Sequence, residues 1–198
     1  MTTPTSTANT PTVSYQEISE TDFDAIIALG NKVHGDGYLD KAKLASWVKK
    51  GIQNNINANF VAYHHSGEIA GFRITYAVKS WQIDQWCSPK LWHVSPEYVC
   101  YFKCNTVDEN YRGLGIGGTL LKLSIAAAKQ QGAKAGVSHL WKQSPNNSAV
   151  MYFSKCGGIH VQSHPDRWHQ ESLAGYDCIL CGFDCHCEAA EMIIYFDK

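Results

Sequence analysis

The stretch Asp108-Glu109-Asn110-Tyr111-Arg112-Gly113-Leu114-Gly115-Ile116-Gly117-Gly118-Thr119 sets one arginine in a turn with four glycines. Anion binding is the chemistry such residues suit. Glycines at 113, 115, 117 and 118 remove the Cβ atoms that would hold an anion away from the backbone. Upstream, Tyr98 to Val107 has the aromatic and β-branched content of a buried strand, while Leu120 to Lys129 carries apolar residues at helical spacing. The turn thus joins strand to helix, and the first amides of a helix are unpaired donors at its positive end. It reads as a cradle for phosphate.

Two common phosphate carriers fail against this sequence. Gly113, Gly115 and Gly118 match the spacing of the dinucleotide fingerprint, but that fingerprint needs an acidic residue about 20 positions on to hold the ribose. No Asp or Glu occurs from Asn110 to Pro165. A nucleoside-triphosphate loop needs Gly-Lys-Ser/Thr at its end, and here Gly117-Gly118 runs into Thr119 with no lysine. What remains is Arg112 opening an Arg-x-x-Gly-x-Gly pattern. It resembles the pyrophosphate loop of the GNAT N-acetyltransferase superfamily, which binds acetyl-coenzyme A. A second segment agrees: that family carries, some 30 residues later, Asn-x-x-Ala-x-x-x-Tyr-x-Lys-x-Gly-Phe, and Asn146, Ala149, Lys155 and Gly157 fall in register. The likeness covers roughly residues 98–158.

The resemblance implies a single α/β domain, a mixed central β-sheet with helices on both faces. It implies cofactor contacts from Asn105, Thr106 and Val107, from Arg112, Gly113, Leu114, Gly115, Ile116, Gly117, Gly118 and Thr119, and from Asn146, Phe153 and Lys155. The amide of Asn105 would donate to the thioester carbonyl and Val107 would pair with the pantetheine amide, both through the backbone. The reaction implied is direct attack of an amine on acetyl-CoA in a ternary complex, the acceptor a small molecule or a peptide.

This chain departs from the family pattern at the acid. The tyrosine that protonates the leaving thiolate falls on Phe153, which has nothing to donate. Tyr152 is adjacent, but neighbours on a helix point about 100° apart. Tyr152 is the candidate acid, with Ser154, Cys156 or an unassisted thiolate as alternatives. Gly158 in place of Phe is a second departure. Candidates for the general base are Glu97, Tyr101, Glu109 and His93, with Glu97 carried forward as catalytic. The missing tyrosine also leaves open a non-catalytic CoA-binding regulatory module. Variable connections usually set specificity, so acceptor selection is expected from His34–Tyr38 and Lys79–Pro96. Trp81, Trp86 and Trp92 in the latter could wall an acceptor, or could instead close the sheet edge or join two copies in a homodimer.

Near the C-terminus, Cys178, Cys181, Cys185 and Cys187 supply four sulfurs within ten residues. Cys-x-x-Cys resembles half a zinc knuckle. The second pair is Cys-x-Cys, and four ligands from so short a stretch look cramped, although His164 or His169 could substitute. The expectation is therefore reduced cysteines in a strand-loop-strand insertion with no metal, the alternatives being a zinc site, which would make this a metal sensor, or a redox pair.

Around these residues the chain of 198, with 44% hydrophobic and 18% charged residues, suits one globular domain burying roughly 70% of its unfolded surface. A net charge of −1 gives no footprint for nucleic acid. From Asn110 to Pro165 every charge is basic: Arg112, Lys122, Lys129, Lys134, Lys142 and Lys155. They form either a solvated face or the side that meets the CoA phosphates. Met1–Thr12, almost all Thr, Ser, Pro, Ala and Asn, cannot build a core and reads as a disordered tail, leaving 13–198 as the domain. It does not have the pattern of a secretory signal, and no run of about 18 apolar residues would span a membrane, so the cytoplasm is expected.

The elements expected are strands over Val13–Ile18, Asn59–His64, Glu68–Val78, Tyr98–Val107, Ala135–Trp141, Ile159–Gln162 and Glu191–Phe196. Helices are expected from Thr21 or Asp22 to Val33, over Lys41–Ile52, from the glycine turn to Gly132, and over Asn147–Cys156.

Overall fold

The computed structural model describes residues 13–196; the expected tail, Met1–Thr12, lies outside them. In chain order the elements are β1 (Val13–Glu17), α1 (Phe23–His34), α2 (Lys41–Lys50), the short pair β2 (Ile52–Gln53) and β3 (Ile56–Asn57), β4 (Phe60–His64), β5 (Ile69–Tyr76), β6 (Val99–Val107), α3 (Ile116–Gln130), β7 (Ala135–Trp141), α4 (Ser148–Lys155), β8 (Ile159–His164), α5 (His169–Leu173) and β9 (Ala189–Tyr195). Seven strands form one sheet in the order β1-β4-β5-β6-β7-β9-β8. Every neighbouring pair is antiparallel except β6 with β7.

Local chemistry sets the boundaries. The Asp40 side chain accepts from the amide of Lys43 at 2.7 Å and starts α2. That helix stops at Gly51, where a Cβ would lie 2.3 Å from the carbonyl oxygen of Thr75. Of the two expected caps, Asp22 stands at the N-cap position of α1 and Thr21 lies within the preceding 3-10 turn; that turn is opened by Ser19, whose amide donates to the Asp22 carboxylate at 2.8 Å. The β4–β5 hairpin turns at Ser66-Gly67, as expected, with Gly67 at φ 88°.

The side-chain period of two along a strand sorts the layers. Val61 packs with Ile26, Leu44 and Phe72 beneath α1 and α2, whereas the next residue, Ala62, packs with Ile116 and Leu120 of α3. Farther along that second face, Leu121, Phe102, Phe153 and Met192 join α3 and α4 to the sheet. The first face continues without an α-helix. There, residues 77–98 cover β6, β7 and β9, and fully buried Trp92 packs on Val99, Val137 and Ile193 while its indole donates to Glu191 at 2.7 Å. Burying such a ring contributes about 2–3 kcal/mol. Trp92 is thus a core residue and not an acceptor wall. No helix among the described residues is long and apolar enough to cross a membrane.

Candidate active site

The two parallel strands part company midway. β6 and β7 pair only from Val99 opposite Ala135 to Tyr101 opposite Val137. One residue on, the Ser138 hydroxyl reaches across to the Phe102 carbonyl at 2.9 Å, a side chain spanning the gap where the ladder stops. On its other edge β6 stays paired with β5 as far as Val107. Beyond the split, the β7-facing edge of β6 lacks a strand partner, and such backbone groups need one from elsewhere. Asn105, Thr106 and Val107 line the resulting cleft, which has a volume of about 700 Å³, within the range of small-molecule sites.

At the end of β6 the Asp108 carboxylate accepts from the amide of Asn110 and from Lys32 at 2.9 Å, pinning the chain before the turn. Gly113 and Gly115 then take φ of 83° and 75°, with open space where a Cβ would stand. Here glycine is required by conformation, because side chains resist the left-handed region. Gly115 caps α3, so the amides of Ile116, Gly117 and Gly118 are first-turn donors without helical acceptors. The Thr119 amide is already bonded to Gly115 O. Arg112, Gly113, Gly115 to Gly118 and Lys155 line the cleft. Leu114, Thr119 and Asn146, expected as cofactor contacts, do not; Leu114 is 57% exposed, and Ser144 before α4 and Ser148 at its first residue line the cleft near Asn146. Of the six basic residues of this region, only Arg112 and Lys155 reach the cleft.

Phe153, also expected among the cofactor contacts, lies in the core. It is fully buried, its ring 5.9 Å from that of Phe102, and a Cβ on Gly158 would meet it at 2.3 Å. The glycine at 158 therefore makes room for the ring at 153. Tyr152 does line the cleft, and its hydroxyl accepts from Arg73 at 2.9 Å. Arg73 is 1% exposed, stacks over Phe102 at 4.5 Å, keeps an unpartnered Nε, and has no carboxylate within ion-pair distance among the described residues. A buried guanidinium is costly unless something anionic answers it. Sequence reading missed Arg73, although a charge between Phe72 and Ile74 in an otherwise apolar strand was the available signal.

A second cavity, of about 620 Å³, opens beside the first and shares with it Tyr101, Lys103, His139 and Arg167. His139 Nε2 meets the carbonyl oxygen of Trp86, and Nδ1 meets the Tyr101 hydroxyl at 3.1 Å. A carbonyl can only accept, so Nε2 carries the proton. Burial pulls the His139 pKa down to about 4, keeping the ring neutral at pH 7. Nδ1 is then an acceptor and Tyr101 its donor. His34, hydrogen-bonded to Thr106 at 2.9 Å, is likewise lowered to about 4, by burial and then by the charge of Lys103. Of the expected bases, Tyr101 sits at this junction and Glu109 lines the cleft, while Glu97 and His93 line neither cavity. Glu97 is half exposed and pairs with Lys79 at 3.8 Å on the surface. Between the expected acceptor loops, His34 and Tyr38 line the first cavity, and Lys79, Trp81 and Asp84 the second.

The four late cysteines, expected as reduced residues of a strand-loop-strand insertion, are free thiols, and their sulfurs all lie within 4.8 Å of one another.

A split between parallel strands, closed at one end by a glycine turn on a helix N-terminus, is the arrangement that the resemblance in sequence implies. The model of the acetyltransferase (GNAT) family matches residues 26–158, and the chain belongs to that family. Solved structures share the fold. The Salmonella typhimurium protein yncA, solved with its cofactor acetyl-CoA, aligns at a TM-score of 0.67 with 15% identity, over 94% of this chain and 95% of that one. An N-acetyltransferase from Staphylococcus aureus Mu50 gives 0.65 and 18%, over 93% and 99%. Ard1 from Thermoplasma volcanium gives 0.65 and 14%, over 93% and 97%. No curated protein sequence matches the chain.

Proposed function

We propose that this chain is an N-acetyltransferase that binds acetyl-CoA along the free edge of β6 and the glycine turn, and acetylates an amine of a small molecule or peptide in a ternary complex. The observation that carries this reading is the split of β6 from β7, which leaves backbone donors and acceptors facing a cleft that ends on unpaired helix amides. The fit extends to side chains. Asn105 Oδ1 is buried without a hydrogen-bond partner, and a Cβ at Gly117 would come within 3.0 Å of that side chain. Bound acetyl-CoA would supply an activated acetyl thioester and a thiol leaving group. The amides of 116–118, with Arg112 and Lys155, would hold its phosphates, and the backbone of Asn105, Thr106 and Val107 its extended arm.

Two side-chain pairs divide the proton work. Arg73 donates to the Tyr152 oxygen, which leaves the phenolic proton free to be given to a departing thiolate, and the guanidinium stands beside the negative charge that forms there. At the junction with the second cavity, Tyr101 can take a proton from the attacking amine while passing its own to His139 Nδ1. An amine nitrogen that has attacked an acyl carbon is strongly acidic, so a weak neutral base suffices. Lys50 and Lys103 on the second cavity have no carboxylate within ion-pair distance among the described residues, which suits an amine that also carries an anionic group. A non-catalytic CoA-binding module was favoured by the phenyl ring at 153; with Tyr152 turned to the cleft, that argument loses its weight. Eight unpaired cysteines suit the reducing cytoplasm as the place of action.

The test is thiol release from acetyl-CoA with a panel of amines, amino acids and peptides. Release that needs an amine and saturates with it supports transfer; cofactor binding without release from any amine contradicts it and leaves the binding module.

A further inference from the structure

Residues 165–188, between β8 and β9, contain one five-residue helix and little core of their own. Leu173, Ile179, Leu180 and Phe183 are each more than half exposed, so these four large apolar side chains point outward. Buried in their place are sulfurs: Cys178, Cys185 and Cys187 pack against Trp141, Trp168 and Tyr176. Long connections without a core need another fastening.

We propose that Cys178, Cys181, Cys185 and Cys187 bind one zinc ion in a closed, structural site that fastens this segment to the wall of the cleft. The geometry fits the ion. Zinc–sulfur bonds of about 2.3 Å in a tetrahedron place neighbouring sulfurs roughly 3.8 Å apart; Cys178 and Cys187 are separated by 3.9 Å and Cys181 and Cys187 by 3.6 Å. A disulfide would need about 2.05 Å. The spacing that looked cramped in sequence is relieved by a tight turn. Cys178 and Gly182 exchange backbone hydrogen bonds of 3.0 and 2.7 Å, with Gly182 at φ 68°. The turn also aims the amides of Leu180 and Cys181 at the Cys178 sulfur, and the Cys187 amide at that of Cys185. Amide donors of this kind steady thiolates and orient them as ligands. Four soft sulfurs select zinc over oxygen-seeking cations, and four ligands leave no open position for catalysis. Cys181, the exposed member, gives the ion a way in.

The fastening reaches the acceptor side. The Arg167 amide donates to the Cys187 carbonyl at 3.2 Å, and the Arg167 side chain lines both cavities. The Tyr176 hydroxyl donates to the His34 carbonyl at 3.3 Å.

Untagged protein purified under reductant should carry one zinc per chain by atomic emission, retained through gel filtration and released by a mercurial thiol reagent. Cys87→Ser should keep the metal, and the double variant Cys178→Ser, Cys181→Ser should lose it. Since that variant could fail to fold, stripped wild-type protein titrated with Co(II) under reductant provides a second readout: one equivalent should give the intense visible bands of a tetrahedral thiolate site. Metal-free protein with no cobalt spectrum, zinc retained in the double variant, or two disulfides by mass spectrometry of the native protein would each overturn the site. None of these readouts depends on acetyl transfer.

Discussion

Two parts of this molecule hold their functional groups in opposite ways. The stretch from β5 to α4 works through backbone: a strand edge that loses its neighbour, two glycines with positive φ, and three amides at a helix start. It can do so because the apolar faces around Phe72, Phe102, Leu121 and Phe153 make it rigid. The segment between β8 and β9 has little such core, and its order depends on a knot of sulfurs that lies outside the family match. Where hydrophobic packing is abundant, backbone geometry can be spent on a ligand; where it is scarce, side chains must converge on something to hold the chain.

That contrast can be tested from the largest effect down. Phe153→Ala should cost about 3–5 kcal/mol of stability, the range for emptying a buried ring site, read by denaturant titration with zinc content unchanged. His139→Gln should lower kcat about 10³-fold, within the range for losing a general base, while melting with coenzyme A stays as in wild type. Gly115→Val should weaken coenzyme A binding about 100-fold, because a β-branched residue resists the φ of 75°; calorimetry would measure it, and the zinc should stay bound.

Acid should act on the cleft, through His139 of β7 and through His34 at the end of α1. His34 and His139 have folded pKa values of about 4, below the ordinary 6.5. The unfolded chain therefore binds more protons between those limits, and the stability these rings contribute is complete above pH 6.5 and lost as pH falls towards 4. At pH 5 each should cost about 2 kcal/mol. Denaturant midpoints at pH 7 and 5 would show it, and His34→Gln should remove its share. Smallest is Tyr152→Phe, expected to lower kcat about tenfold with KM for acetyl-CoA unchanged; an unaltered kcat would move the acid elsewhere.

Much of the first part was legible in the sequence, since glycine spacing, a buried strand and helical periodicity are local signals. Ala135–Trp141 matches residue for residue, and the β4–β5 hairpin turns where Ser66-Gly67 said it would. What was not legible depends on pairing across the chain. Tyr152 and Phe153 are neighbours, and it is Phe153 that packs on Phe102 and Leu121 in the core, where Gly158 leaves room for the ring. Arg73 and His139 gain their significance from partners far along the sequence, at Tyr152 and at Trp86 and Tyr101. Glu97 looked well placed at the start of β6, but the split opens at the other end of that strand. The cysteine knot was visible as a spacing and discounted as cramped, because the turn at Gly182 that brings the sulfurs together is not encoded in the spacing itself.

Coenzyme A filling the split between β6 and β7 is tested most directly by the melting temperature with acetyl-CoA, coenzyme A and NADH. A ligand confined to the folded state adds about 2.7 kcal/mol at a hundredfold excess over its dissociation constant. A rise with both coenzyme A species, none with NADH, and a rise cut to about 0.4 kcal/mol in Gly115→Val, as a hundredfold weaker dissociation constant requires, is the predicted result. No rise with either coenzyme A species in the wild-type protein would contradict it.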